Sequence, residues 1–146
     1  MKILLAVDGS ASSNQAIAEI IRRPWPEQTE VKVITAYEVP FTAGIEPWAA
    51  GPMYFDDVRN AASSAANSVL EHTLTKLRSA PANKLKITGE ALQGSPKQVI
   101  VEVAEHWGAD LIVMGSRGLG TWTRLLLGSV SNAVVHHAKC SVEIVR

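Results

Sequence analysis

Short apolar runs alternate with longer segments of helical periodicity along most of the chain. The apolar runs in Ile3–Val7 and Asp110–Met114 are typical of strands that are covered on both faces. A third segment, Lys84–Leu92, alternates apolar and polar residues as a half-buried strand does. The pattern predicts five strands, which are Ile3–Val7, Glu30–Tyr37, Lys84–Leu92, Asp110–Met114 and Ser141–Val145.

The segments between these strands carry apolar residues at helical spacing. Proline or glycine marks three of the helix ends, at Pro24, Pro81 and Gly108, and Pro96 suits the first position of a helix. Strands that alternate with helices imply an α/β fold in which right-handed crossovers join parallel strands. The predicted buried stripes are Ala16, Ile17, Ile20 and Ile21; Val58 to Leu77; Ile100, Val103, Ala104 and Trp107; and Val130, Ala133 and Val134.

One stretch, Phe41 to Tyr54, lacks a clear period and is rich in proline, glycine and alanine. Two interpretations stay open for it, a mobile lid or a plain surface loop. The long helix is expected only after this stretch, from about Val58 onward.

A glycine-rich loop joins the predicted strand that ends at Met114 to a helix that begins after Gly128. Glycine allows the backbone to approach a ligand closely and to adopt positive φ. The first N–H groups of a helix are unpaired and favour an anion, and Ser129 and Ser131 add hydroxyls there. The alternative is structural: either serine is only an N-cap, and the glycines only turn the chain.

Spacing excludes two familiar phosphate-binding motifs. The separation of Gly115 and Gly120 is that of a P-loop, but Thr121 stands where the lysine is required. A dinucleotide fingerprint that begins at Gly118 fails because Thr123 replaces its third small residue.

The spacing that does fit is Gly-x2-Gly-x9-Gly-Ser, met by Gly115, Gly118, Gly128 and Ser129. This pattern resembles the ATP-binding signature of the universal stress protein family. The opening Val7-Asp-Gly-Ser10 and the closing Leu125-Leu-Leu-Gly-Ser-Val-Ser131 strengthen the resemblance, which covers essentially the whole chain. It implies an open, doubly wound five-stranded parallel sheet of order 3-2-1-4-5, with helices on both faces.

In that order the first and fourth strands flank the point where the winding direction changes, and open α/β sheets bind ligands there. The resemblance implies that Asp8 lies at the nucleoside side of ATP and that the backbone at Ala36 borders the adenine, although helix capping is the alternative for Asp8. Arg117 lies inside the motif and is favoured over Arg124 as a partner of phosphate. Whether magnesium accompanies ATP stays open. The predicted ATP-binding residues are Asp8, Ala36, Met114, Gly115, Arg117, Gly118, Gly128, Ser129, Val130 and Ser131.

Composition limits the remaining function classes. A length of 146 residues with 47% hydrophobic content predicts one domain over residues 1–146. Fourteen basic and fourteen acidic residues give no net field for nucleic acid, and no apolar run is long enough to span a membrane. The single Cys140 permits no internal disulfide, which favours a reducing, cytoplasmic location.

Neither a metal centre nor a catalytic residue is predicted. The adjacent His136 and His137 diverge by about 100° on a helix and do not easily share one ion. No positioned general base is recognisable near the glycine-rich loop. The leading hypothesis is therefore an ATP-binding, nucleotide-responsive module that forms a homodimer through residues 141–146. A slow ATPase or phosphotransferase, and a structural dimer that binds no nucleotide, are the alternatives; the downstream protein partner is unknown.

Overall fold

The computed structural model describes residues 1–39, 47–80, 85–119 and 127–146, with only the backbone for residues 47–54. Strands and helices alternate along the whole described chain. The five strands are β1 (Lys2–Ala6), β2 (Glu30–Tyr37), β3 (Lys86–Gln93), β4 (Leu111–Gly115) and β5 (Ser141–Val145). The four helices are α1 (Ala11–Arg22), α2 (Pro47–Arg78), α3 (Pro96–Trp107) and α4 (Ser129–His137).

All five strands belong to one sheet, and its order is β3-β2-β1-β4-β5. Every neighbouring pair is parallel, with β1 in the centre between β2 and β4. The register places Ala6 opposite Ile34 on one side and opposite Met114 on the other. The predicted fold class and strand order are confirmed. The carboxyl ends of β1 and β4 therefore lie side by side at the point where the winding direction changes.

Two apolar cores cover the two faces of the sheet. The first contains Ile3, Leu5 and Val33 of the sheet with residues of α1 and α2, such as Ile20 and Leu77. The second core, on the opposite face, contains Leu4, Ile34 and Ile112 of the sheet with Ile100 of α3 and Val134 of α4. Alternate residues of each central strand thus enter opposite cores, which explains their continuous apolar sequence.

Helix α1 begins directly after the central strand because Ser10 caps it. The Ser10 hydroxyl accepts a hydrogen bond from the Ser13 N–H at 3.2 Å. The helix ends at Arg22, and Arg23 adopts an extended backbone ahead of Pro24 and Trp25. The buried positions Ala16, Ile17 and Ile20 agree with the stripe predicted from the sequence, whereas Ile21 of the same stripe is exposed.

The edge strand β5 is tied to α1 by an ion-pair network. The Arg23 guanidinium donates to both carboxylate oxygens of Glu143, at 2.8 and 2.7 Å, and also to Glu19. Its guanidinium group stacks on the Trp25 ring, 5.0 Å from the ring centre. Bidentate pairing of this kind fixes orientation as well as adding attraction, so the network sets how β5 lies against the helix.

The prediction of an irregular stretch from Phe41 to Tyr54 is wrong for its second half, because α2 already begins at Pro47. Proline is well suited to the first position of a helix, and the two alanines after Trp48 favour helical structure. Residues 40–46 lie outside the described part of the chain, so the choice between lid and surface loop stays open there. Within the described residues, no helix is both long and apolar enough to cross a bilayer.

Thr35 provides a test of this packing, because its hydroxyl is buried and has no hydrogen-bond partner. Replacing Thr35 with valine removes that unpaired group at nearly constant volume. We expect the free energy of unfolding to rise by about 1 kcal/mol. The matched control is Thr29→Val, because the buried Thr29 hydroxyl donates to the Pro26 carbonyl at 2.7 Å. Chemical denaturation of both variants is the measurement, and a rise in the control alone would contradict the expectation.

Candidate functional site

A cavity of about 250 Å³ opens at the carboxyl edge of the sheet, between β1, β2 and β4. Its walls come from the ends of these strands, the loop that follows β4, and the first turns of α3 and α4. All ten residues proposed from the sequence line this one cavity: Asp8, Ala36, Met114, Gly115, Arg117, Gly118, Gly128, Ser129, Val130 and Ser131. Residues that are more than a hundred positions apart in sequence, such as Asp8 and Ser131, are thus brought together.

Several lining residues were not predicted. Ile34 lies two positions before Ala36 and shares its face of β2, so strand alternation alone could have found it. Pro96 and Ile100 were recognised as parts of a helix, but the sequence does not say that this helix crosses above the site. The additional lining residues are Ala6, Val7, Ser13, Ile34, Pro96, Ile100 and Leu119.

Ser116 holds the two ends of the glycine-rich loop together. Its carbonyl oxygen accepts hydrogen bonds from the Gly128 N–H at 2.8 Å and from the Ser131 hydroxyl at 2.9 Å. Its own N–H donates to the Val145 carbonyl at 2.8 Å. The start of the loop, the start of α4 and the end of β5 therefore meet at one residue.

A second set of hydrogen bonds fixes the loop to the first turn of α1. The Arg117 carbonyl accepts from the hydroxyls of Ser10, at 3.1 Å, and Ser12. The Arg117 N–H in turn donates to the Ser12 hydroxyl oxygen at 3.3 Å. Both the N–H and the carbonyl of Arg117 are therefore hydrogen-bonded, and the Arg117 side chain is exposed at the mouth of the cavity.

The glycines of the loop are under different structural constraints. None of Gly115, Gly118 and Gly128 has a positive φ, so the expected use of positive φ is not seen at these three positions. A Cβ on Gly115 would lie 2.6–2.7 Å from atoms of Ser12 and Ser13, including backbone atoms of both. Gly115 is therefore required by the close packing of β4 against α1.

Gly118 and Gly128 face the cavity under different constraints. A Cβ on Gly118 would lie 2.8 Å from a carboxylate oxygen of Asp8. At Gly128 the nearest atoms would be 3.4 Å away, which is ordinary contact, and its φ of −72° suits any residue. Among the residues that the structure describes, no contact requires glycine at position 128.

The start of α4 presents unpaired backbone donors to the cavity. Gly128 is the N-cap, and no side chain caps the helix. Ser129 is the first helical residue, with an exposed side chain, so it is not the N-cap that the structural alternative proposed. The Ser131 hydroxyl is buried and bonded to carbonyl oxygens, which makes its role at least partly structural.

Asp8 is the only acidic residue among the described residues that line the cavity. One of its carboxylate oxygens accepts from the Ser10 N–H at 3.0 Å, and its backbone N–H lies 3.3 Å from the Ser13 hydroxyl. These contacts hold the carboxylate at the end of β1 beside Gly118. Arg117 is the positively charged residue at the mouth of the cavity. It forms no ion pair with any residue that the structure describes.

The histidines and the cysteine lie elsewhere. His106 and His137 use their Nδ1 atoms within their own helices, against the carbonyls of Glu102 and Ala133. Burial raises the pKa of the Cys140 thiol, which keeps it protonated at neutral pH. Across the described residues, no group of three or more histidine, cysteine or acidic side chains is arranged to hold a metal ion.

Comparison with known proteins gives the family. The model of the universal stress protein family matches residues 1–146. The chain belongs to the universal stress protein family. A relative from Thermus aquaticus, the universal stress protein in the QAH/OAS sulfhydrylase 3′ region, is 35% identical over 151 residues, which cover 99% of this chain and 97% of the relative.

Solved structures share the fold at lower identity. Hypothetical protein MJ0577 superposes with a TM-score of 0.83 at 24% identity, covering 99% of this chain and 94% of that one. A universal stress protein solved in complex with cAMP gives 0.64 at 24% identity, covering 100% and 96%. A family protein from Arabidopsis thaliana solved with AMP bound gives 0.68 at 21% identity, covering 99% and 90%.

The two outer glycines of the motif should respond differently to substitution. Gly115→Ala is expected to lower the free energy of unfolding by about 1–3 kcal/mol, because its Cβ overlaps the backbone of α1. Gly128→Ser should leave stability unchanged or slightly raised, because serine is a favoured N-cap. Thermal and chemical denaturation measure both, and equal losses in the two variants would contradict this division.

Proposed function

We propose that this universal stress protein binds ATP in the cavity between β1 and β4 and works as a nucleotide-responsive module rather than as a committed enzyme. The observation that carries the proposal is the convergence of all ten predicted residues on one cavity at the switch point of the sheet. The cAMP and AMP complexes of two proteins with this fold support an adenine nucleotide as the class of ligand.

The inner part of the cavity suits the nucleoside. Ile34, Ala36, Ile100 and Val130 give it an apolar wall against which a purine ring would pack. Asp8 lies at the end of the central strand, where its carboxylate would accept hydrogen bonds from ribose hydroxyls. The combination of one apolar wall and one acidic group favours a nucleoside over an unsubstituted phosphate ester.

The outer part suits the phosphates. The uncapped N-terminus of α4 offers the N–H groups of Ser129 and Val130 together with the positive end of the helix dipole. Arg117 adds an exposed cation at the mouth. Because glycine at position 128 is not required by the fold, we attribute it to the close approach of a phosphate to the backbone.

The cavity volume is consistent with this division. At about 250 Å³ it lies just below the roughly 300–1,000 Å³ that is usual for drug-sized ligands. A nucleoside would fill it, and a phosphate chain would extend along the loop toward solvent. The nucleoside would occupy Asp8, the one acidic residue among the described lining residues, so none of these would be left as a base for hydrolysis.

Substitutions at the start of α4 test the phosphate end. Gly128→Ser and Gly128→Val should prevent nucleotide binding sterically while the fold persists. Ser129→Ala should remove one hydrogen bond to a charged acceptor, which corresponds to about a ten- to hundredfold loss of affinity. Calorimetry with ATP is the measurement, and stability is checked on each variant. Wild-type affinity in Gly128→Val would refute the site.

The identity of the ligand is tested directly. Mass spectrometry of small molecules released from denatured, purified protein should find an adenine nucleotide. Calorimetric comparison should rank ATP above NAD, because the glycine spacing and the acidic ribose reader of a dinucleotide site are missing. AMP and cAMP serve as probes that combine the nucleoside with a single phosphate. NAD binding as tight as ATP binding would overturn the preference.

We also propose a homodimer formed through residues 141–146. Strand β5 pairs only with β4 among the described strands, so it is an edge of the sheet, and Arg23 is bonded to the carboxylate of its Glu143. Exposed edge strands pair readily with a second copy of the same edge. Sedimentation velocity at micromolar concentration should give a dimer, and a monomer at that concentration would refute it.

A further inference from the structure

The serine at position 12 hydrogen-bonds to the glycine-rich loop from outside the nucleotide cavity. Ser12 is the second residue of α1 and is not among the described residues that line this cavity. We propose that Ser12 is a positioning residue, which fixes the loop at residues 117 and 118 and thereby holds the phosphate end of the site in its binding geometry. This inference rests on the proposed function, because the loop geometry affects binding only if a nucleotide phosphate lies against the loop.

The Ser12 hydroxyl uses both of its hydrogen-bonding functions on one residue of the loop. It donates to the Arg117 carbonyl, and it accepts from the Arg117 N–H at 3.3 Å. The Ser10 hydroxyl donates to the same carbonyl at 3.1 Å. The start of α1 therefore holds both backbone polar groups of Arg117, and a substitution at Ser12 removes two of these three hydrogen bonds.

This contact requires the glycine at the end of β4. A Cβ on Gly115 would lie 2.6 Å from the Ser12 hydroxyl oxygen, which is closer than Cβ atoms approach other atoms in proteins. Gly115 is two residues before Arg117, so a side chain there would push the hydroxyl away from the backbone to which it is bonded. Gly115 and Ser12 therefore form one arrangement, although they lie in distant parts of the sequence.

The loop that Ser12 holds passes close to Asp8. Gly118 follows Arg117 directly, and a Cβ on Gly118 would lie 2.8 Å from one Asp8 carboxylate oxygen. The other carboxylate oxygen of Asp8 accepts from the Ser10 N–H at 3.0 Å, so Asp8 is held independently of the loop. Loss of the Ser12 hydroxyl would therefore release the phosphate end of the site without releasing the carboxylate at its nucleoside end.

Ser12 can be replaced without removing the cap of α1. The N-cap is Ser10, whose hydroxyl oxygen accepts from the Ser13 N–H at 3.2 Å. Ser12 is half-buried, and alanine is a better helix former than serine. Ser12→Ala should therefore leave α1 intact and affect mainly the loop. A loop that is less ordered before binding loses more conformational entropy when it binds a phosphate, which lowers the affinity.

Calorimetry with adenosine and ATP distinguishes a positioning role from a general structural one. Ser12→Ala should weaken ATP binding about three- to tenfold and adenosine binding less than about twofold, because only the phosphates meet the loop. The matched control is Asn14→Ala, since the Asn14 side chain in the same helical turn is bonded to Ser10 and Lys76 rather than to the loop. This variant should bind ATP as the wild type does. Equal losses for ATP and adenosine, or wild-type ATP affinity in Ser12→Ala, would overturn the proposal.

Amide hydrogen exchange of the full chain without nucleotide tests the contact itself. In Ser12→Ala the amides of Arg117 and Gly118 should exchange about fivefold faster or more than in the wild type. The Gly128 amide donates to the Ser116 carbonyl at 2.8 Å, so it is the internal reference and should keep its rate. Unchanged exchange at Arg117 would overturn the proposal. Failure of the proposed function gives a different result, in which the wild type binds no ATP although Ser12→Ala still speeds the exchange.

Discussion

Ser116 is the residue on whose backbone hydrogen bonds the carboxyl edge of this molecule depends. Its N–H is bonded to the end of β5, and its carbonyl is bonded to Gly128 and to the Ser131 hydroxyl. Ser116, directly after β4, thereby connects the edge strand, both ends of the loop and the start of α4. Without these bonds the helix start would have no defined place beside β1, and its free N–H groups would not converge with Asp8.

The loop is held by serines that were easy to overlook in the sequence. Ser10 and Ser12 precede the loop by more than a hundred residues, yet their hydroxyls donate hydrogen bonds to the Arg117 carbonyl. The topology makes this possible because α1 starts directly after β1, and β1 is the neighbour of β4. The first turn of α1 therefore acts as a structural support for the loop after β4, while its remaining polar groups stay available on the outer side.

Local patterns predicted the strands, whereas the resemblance to the universal stress protein family supplied the strand order and the places of Asp8 and Ala36 among the ten candidate residues. Apolar runs located every strand to within about two residues. The sequence could not predict that Gly115 is required for close packing rather than for the approach of a ligand. This follows from its contact with Ser12 and Ser13 on a helix that is distant in sequence. Nor could it distinguish the irregular stretch before Val58 from helix, because proline at the first helical position resembles proline in a loop.

The same motif thus combines two kinds of requirement that spacing alone does not separate. Gly115 is constrained by the backbone of α1, whereas Gly128 has ordinary dihedral angles and, among the described residues, room for a side chain. A glycine that the fold requires is recognised because a side chain there would overlap protein atoms. Under the proposed function Gly128 is of the other kind, because a phosphate rather than a protein atom would occupy the space beside its backbone.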